Sequence, residues 1–246
     1  MVVINTRPEP DNKEFTKKLQ LQGFTVYEFP TIRTTENMDN KHVVKTLTNL
    51  PSFDWILFTS VKGVEAFITI AQLKIKQEIY ANKKIAVVGP KTAERVELHG
   101  LTVSFMPSQF TTHHLGKELA NINNKKVLLA RSDIASKQLA IDLQTKGAEV
   151  VDIPVYKTEY LTYPDPEIDK LLQKDAIDVI TFTSPSTVHG FFKRIANKKL
   201  QAKIYDIPVI SIGPVTTKTA EKYGFKHIFT AIEYTTEGMI KKMQEL

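Results

Sequence analysis

The stretch FTSVKGVEAF at residues 58–67 returns as FTSPSTVHGF at residues 182–191, so that Phe58 and Phe182 stand 124 residues apart (182 minus 58). The same offset holds elsewhere without a gap. Asp54 and Asp178 each precede their Phe by four residues, and Arg7 matches Arg131, Gly23 matches Gly147, Pro30 matches Pro154 and Thr34 matches Thr158. VVGPKTAERVELHG matches SIGPVTTKTAEKYG through Gly89 and Gly213, Pro90 and Pro214, Thr92 and Thr216, and Gly100 and Gly224. Thr111-Thr112 and Thr235-Thr236 close the register. The 246-residue chain is therefore a tandem duplication of a unit about half its length. Such a unit is too long for a solenoid repeat and has the size of a small domain.

With 42% hydrophobic and 24% charged residues the chain can bury two cores, which excludes a disordered protein. No apolar run approaches the roughly 20 residues of a membrane span. MVVINTRPEP opens on a strand-like stretch without a basic segment and cleavage site ahead of it, so a cytoplasmic protein that avoids the membrane is expected. The absence of Cys removes disulfides, thiolate nucleophiles and Cys-based metal sites together. A net charge of +6 favours acidic partners, but the lysines are scattered and not blocked, so no nucleic-acid partner is expected.

Each copy alternates β-branched or apolar runs with amphipathic stretches. VVINT is followed by a helical pattern from Asp11 to Gln22, which Gly23 stops. FTVYEFPTIRT reads as extended, MDNKHVVKTLTNL as helical and FDWILFTS as a nearly continuous apolar strand. A helix from Val61, the strand KIAVVG, a helix from Pro90 to Gly100, the short strand LTVSF and a helix after Thr111-Thr112 complete the copy. Strands apolar on both faces that alternate with helices predict two similar doubly wound α/β domains with parallel sheets. Ligands of such sheets bind beyond the carboxyl ends of the strands. Phe58-Thr59-Ser60, Gly89-Pro90, Phe182-Thr183-Ser184 and Gly213-Pro214 all fall at those junctions. Free N–H groups and the positive end of the helix dipole suit anions there.

Those junction residues also have ordinary structural duties. Ser60 and Ser184 suit N-caps, Pro90 and Pro214 suit first helical positions, and the Thr pairs suit caps. Arg7 and Arg131 end strands at the same edge, where anion contact and plain solvent exposure both remain open. Tyr156, inside DIPVYKTEY, reads as a packing residue of a strand. The six His show no ligand spacing, and the chain has no dinucleotide fingerprint, Walker loop or nucleophile elbow. The residues alone lead to a cofactor-free two-domain protein with a cleft rimmed by anion-binding helix ends.

FTSVKGVEAF, VVGPKTAERV, IPVYKTEY, FTSPSTVHGFF and SIGPVTTKTAEKYGF, taken together and in this order, resemble the uroporphyrinogen-III synthase family over nearly the whole chain. Many members carry an Asn-Ala type pair where this chain has Lys62-Gly63. The resemblance implies a lyase that closes hydroxymethylbilane, an octacarboxylate supplied by the preceding pathway enzyme, into uroporphyrinogen III with its last pyrrole ring inverted. It implies Tyr156 as the proton donor to the departing hydroxide. Thr92 and Thr216 are implied to line the cleft, with Ser60, Ser184, Ser186 and Thr187 on loops that hold substrate carboxylates. Arg7, Lys62 and Arg131 join them as substrate-binding candidates, and a monomer that needs no metal or cofactor is expected. The resemblance further implies that residues 1–33 pack with 161–246, that 37–154 form the other domain, and that connectors run near 29–36 and 153–160. Two other classes compete. A non-catalytic sensor for an acidic small molecule would normally carry an output domain, for which no room remains beyond KKMQEL. A transferase for sugar phosphates would use the same helix ends for phosphate.

Overall fold

The structure, a computed structural model, describes residues 1–195 and 198–246. In chain order its first copy holds β1 (Val2–Asn5), α1 (Asp11–Leu21), β2 (Thr25–Glu28), β3 (Ile32–Glu36), α2 (Lys41–Thr48) and β4 (Trp55–Phe58). It continues through α3 (Val61–Lys74), α4 (Gln77–Ala81), β5 (Lys84–Val87), α5 (Pro90–Leu98) and α6 (Thr112–Glu118). The second copy holds β6 (Lys126–Ser132), α7 (Gln138–Thr145), β7 (Glu149–Tyr160), α8 (Pro166–Gln173), β8 (Val179–Phe182) and α9 (Pro185–Arg194). Then follow α10 (Lys198–Ile204), β9 (Val209–Ser211), α11 (Pro214–Lys222), β10 (Ile228–Thr230) and α12 (Thr236–Met243).

The chain divides into two compact units, Met1–Arg33 with Glu159–Leu246, and Thr34–Thr158. The first unit carries a sheet of order β10-β9-β8-β1-β2 and the second a sheet of order β3-β7-β6-β4-β5. Each sheet draws strands from both copies of the repeat, and the pairings obey the same offset. Val3 lies opposite Val179 where β1 meets β8, and Val127 lies opposite Trp55 where β6 meets β4. Val3 opposite Val26 is repeated as Val127 opposite Val150, and Ile180 opposite Val209 as Ile56 opposite Ile85. All of these pairings are parallel.

Alternation along the strands fills both faces, which a parallel sheet between helices requires. In the first unit Ile4, Ile180 and Val209 face a core with Phe191 and Phe225, while Val3, Val179 and Ile210 face Phe15, Leu19 and Met239. In the second, Ile56, Phe58 and Leu128 pack with Phe67 and Tyr80, and Leu57, Val127 and Leu129 pack with Leu115 and Leu143. The doubled Asp has a matching duty in each unit. Asp178 accepts the N–H of Val2 and Asp54 accepts the N–H of Lys126, so each carboxylate ties its own strand to the start of the neighbouring one.

Two copies of one pattern did not produce identical edges. LTVSF, read as a strand, makes only an isolated bridge between Phe105 and Ala86, whereas its counterpart forms β10. Two residues account for it. Pro107 stands where Ala231 donates its N–H to Ser211 in the other unit and has no N–H for the ladder. Ser104 Oγ accepts the N–H of Ile85 at 3.3 Å, displacing the carbonyl that takes the equivalent N–H in the other unit, where Val209 donates to His227. Ser and Thr side chains compete with backbone partners in this way. The FTVYEFPTIRT run likewise splits into β2 and β3, with Phe29, Pro30 and Thr31 outside both. Among the described residues no helix is long and apolar enough to cross a membrane.

Gly190 marks the tightest approach of α9 to the chain beneath it. A Cβ there would fall 2.4 Å from the carbonyl oxygen of Thr31, which already accepts the N–H of Leu161. Gly190→Ala should therefore destabilise the protein by about 1–3 kcal/mol, the usual cost of overpacking. Urea unfolding checks this, and an unchanged midpoint would show that the helix moves aside freely.

Candidate active site

In the second unit Ser60, two residues after β4, caps α3 by accepting the N–H of Gly63 at 3.1 Å. The phenol of Tyr156, on β7, lies 3.4 Å from the same Ser60 Oγ. Tyr156 is half-buried, and burial pushes its phenol above the ordinary value of 10.0, outweighing hydrogen bonds from Ser60 and Ser132. It is therefore a protonated donor at neutral pH. The strand that carries it is pinned by Asp133, whose N–H donates to the carbonyl of Tyr156 and whose carboxylate accepts from the N–H of Thr158 at 2.9 Å. The β6–β7 register shifts here, from Arg131 opposite Pro154 to Ser132 opposite Tyr156. Such irregularities re-aim side chains. Pro154 has no N–H to give the ladder, which fits a shift at that point.

Lys62 lies in the first turn of α3, and its Nζ is 2.5 Å from Glu36 on β3, holding that carboxyl below its ordinary range through hydrogen bond and charge. Gly89 precedes α5 with φ +86°, a backbone that favours glycine, and Pro90 starts the helix. Thr92, on the first turn, is buried.

The first unit repeats the plan with different chemistry. Ser184 caps α9 in a full capping box with Thr187, and its Oγ lies 2.8 Å from that of Ser186. Thr187 and Thr216 are buried at the starts of α9 and α11. Arg7 follows β1, with part of its side chain exposed and one terminal nitrogen 3.5 Å from the exposed Asp11. Its Nε is buried with no acceptor among the described residues.

Arg131 departs from both readings that its sequence position left open. Its side chain is 3% exposed and forks onto Asp152 at 2.6 and 2.9 Å, with a third bond of 2.7 Å to the carbonyl of Ser136. Asp152 is two residues ahead of the Pro154 that faces Arg131 across the ladder, which is the placement that captures it. The bidentate pair leaves Arg131 no donor fork for a substrate carboxylate. Sequence reasoning missed Asp152, Glu36 and Asp133. The one available signal was that Asp152 sits on a strand adjoining a lone strand-end arginine. Among the described residues no cluster of three His, Asp or Glu could hold a metal.

Known proteins share this arrangement of strands and motifs. A family model described as "Uroporphyrinogen-III synthase HemD" matches residues 13–241. The chain belongs to the uroporphyrinogen-III synthase family. A "Putative uroporphyrinogen-III synthase" of Methanocaldococcus jannaschii is 32% identical over 100% of this chain and 99% of its own. A "Porphyrin biosynthesis protein HemD" of Ruminiclostridium josui is 29% identical over 99% of this chain, which spans only 48% of that protein. A crystal structure of mutant uroporphyrinogen III synthase from Thermus thermophilus shares the fold at a TM-score of 0.72 and 19% identity, over 99% of this chain and 97% of its own. The two-sheet α/β architecture read from the repeat is thus that of the family.

Asp152 gives this site a pH signature. Burial alone would raise its carboxyl, but the hydrogen bond and charge of Arg131 outweigh burial and hold it below the ordinary value of 3.8. A depressed folded-state value contributes stability above the unfolded value that is lost as pH falls through the folded one. Asp152→Asn should remove that component, flattening the loss of stability below about pH 4. It should also lower stability at pH 7, because the buried guanidinium loses its counter-charge, typically by about 3–5 kcal/mol. Urea midpoints between pH 3 and 7 check both, and parallel acid limbs would exclude this pair as a source.

Proposed function

We propose that the chain cyclises the linear tetrapyrrole hydroxymethylbilane to uroporphyrinogen III, a cyclising dehydration with inversion of the terminal pyrrole ring. The observation that carries this is the family match across residues 13–241. A relative that carries the synthase name over essentially the full length of both chains supports it. A non-catalytic sensor is not favoured, since the relatives carry biosynthetic names.

The reading assigns chemistry to the carboxyl edge of each unit. In one unit the helix starts at Ser60 and Gly89, with Lys62 and the first turn bearing Thr92, bind carboxylates, and in the other those at Ser184 and Gly213 do so with Arg7, Ser186 and the first turns bearing Thr187 and Thr216. Arg7, and not its counterpart Arg131, is the arginine assigned to substrate. Lys62 reaches substrate only by exchanging Glu36 for a substrate carboxylate. Tyr156 gives its phenolic proton to the departing hydroxyl, so that water leaves, and the phenolate takes the N–H proton of that pyrrole ring, leaving a neutral azafulvene and a restored phenol. The substituted carbon of the last ring then attacks, a spiro intermediate forms, and its rearrangement delivers the inverted ring. Ser60, hydrogen-bonded to the phenol, orients the proton.

Carboxylate contacts present equally in substrate and transition state would lower KM without raising kcat. The acceleration therefore rests on holding one folded conformer, for which orientation effects of up to about 7–11 kcal/mol are available. We assign the reaction to a monomer acting in the cytoplasm, with each unit a domain and with no cofactor, and with substrate arriving from the enzyme that assembles the linear tetrapyrrole.

Freshly generated hydroxymethylbilane, with chromatographic separation of the isomers, tests the reading. The protein should give the inverted isomer in excess of the symmetric product of unguided closure, and the symmetric product alone would refute it. Tyr156→Phe should lower turnover by about 10²-fold or more, the ordinary range for general acid catalysis. Because burial keeps the phenol protonated beyond its ordinary value of 10.0, the parental rate should show no alkaline limb from this group below about pH 10. An unchanged rate in the Phe variant would leave Tyr156 as a packing residue.

A further inference from the structure

Two half-exposed aromatic rings stand at the carboxyl edges, one in each unit, and the carboxylate grip does not use either. Phe110 is 40% and Tyr234 45% exposed. They are repeat counterparts, since 234 minus 110 is 124. Each side chain lies beside the glycine that opens the Gly-Pro helix of its unit. A Cβ built on Gly89 would lie 3.5 and 3.7 Å from Phe110 Cβ and Cγ, and one built on Gly213 would lie 3.4 and 3.5 Å from Tyr234 Cδ1 and Cγ. Each glycine thus leaves beside its aromatic side chain a space that a methyl group would fill at ordinary van der Waals distance, and much of each ring faces water.

The residue after each ring fixes it. Thr111 caps α6 by accepting the N–H of His114 at 3.1 Å, and Thr235 caps α12 by accepting the N–H of Gly238 at 3.0 Å. The side chains around them diverged between the copies, Ser108 against Ile232 and Gln109 against Glu233, but the aromatic character at this place did not. In the first unit Val215 and Ile232, each within two residues of the ring-glycine contact, are also exposed and apolar. An anion-binding edge needs no such surface.

The substrate class supplies the reason. Each of its four pyrrole rings carries its carboxylates on flexible arms, so helix N–H groups can hold the arms while the ring still turns. Ring inversion is decided by ring orientation. A planar apolar ring is oriented by offset or edge-to-face contact with another ring. We propose that Tyr234 and Phe110 are specificity-determining residues that hold pyrrole ring faces beside the helix starts of α11 and α5. This rests on the synthase reading of the same site.

The test uses the intact protein with two readouts. In the hydroxymethylbilane assay, Tyr234→Leu keeps apolar bulk over Gly213 but loses the ring. It should lower kcat at least tenfold and shift product toward the symmetric isomer, with Phe110→Leu acting in the same direction. Tyr234→Phe restores the ring and should recover most of the inverted product. Equilibrium binding of uroporphyrin III, a planar aromatic octacarboxylate followed by its fluorescence, gives the second readout, and Tyr234→Leu should weaken it about tenfold. Near-parental melting temperatures would exclude a lost fold as the cause. Leu variants that bind uroporphyrin within twofold of the parent, and that keep its isomer ratio, would show that the rings only cover their glycines and overturn the proposal. A parent that makes no inverted isomer, yet binds uroporphyrin more tightly than its Leu variants, would remove the synthase reading while leaving the ring contact standing.

Discussion

Val2 donates its N–H to Asp178 across a sequence separation of 176, and everything in the first unit depends on that meeting of β1 with β8. β1 lies inside its sheet, between β2 and the central strand β8, so the unit cannot close until the second copy of the repeat is available. The second unit has the same dependence, because β6 of the second copy lies between β4 and β7. Pairings of this range are entropically costly to start and slow to form. The doubled Asp at 54 and 178 offsets part of that cost by adding a charge-assisted bond at the first residue of the incoming strand.

With the strands parallel and their carboxyl ends aligned, the loops that follow them inherit a common polarity. Helix N-termini gather at that edge in each unit, so positive potential arises from backbone geometry before any lysine is counted. The caps at Ser60 and Ser184, each contributing about 1 kcal/mol, fix where those N–H groups point. A surplus of cationic side chains then adds long-range attraction for an acidic substrate.

The two copies differ in what their strand-end arginines meet. Arg131 is paired with Asp152 on the neighbouring strand, while at the position equivalent to Asp152 the first copy has Glu28, which accepts from Asn12, and Arg7 stays at the edge. Tyr156 stands where the first copy has Ile32, so the capping Ser60 lies beside a phenol and the capping Ser184 beside the hydroxyl of Ser186. Two similar scaffolds thus carry the same capped helix starts with different side chains beside them.

The sequence by itself determined the local structure and the family. Strands apolar on both faces, helices stopped at Gly23 and Gly100, and Ser and Gly-Pro at the strand-to-helix junctions follow from steric and hydrogen-bonding preferences that act over a few residues. The gapless offset extended that pattern to a repeated α/β architecture. Tertiary structure alone decided which groups meet. The pairings of Arg131 with Asp152, Lys62 with Glu36 and Tyr156 with Ser60 each depend on which strands are neighbours and in what register. A strand's apolar periodicity is the same whichever neighbour it takes. Ser104 shows the limit at its smallest scale, since LTVSF has the pattern of a strand, and only the approach of Ile85 lets its hydroxyl take one of the ladder bonds that the counterpart strand keeps.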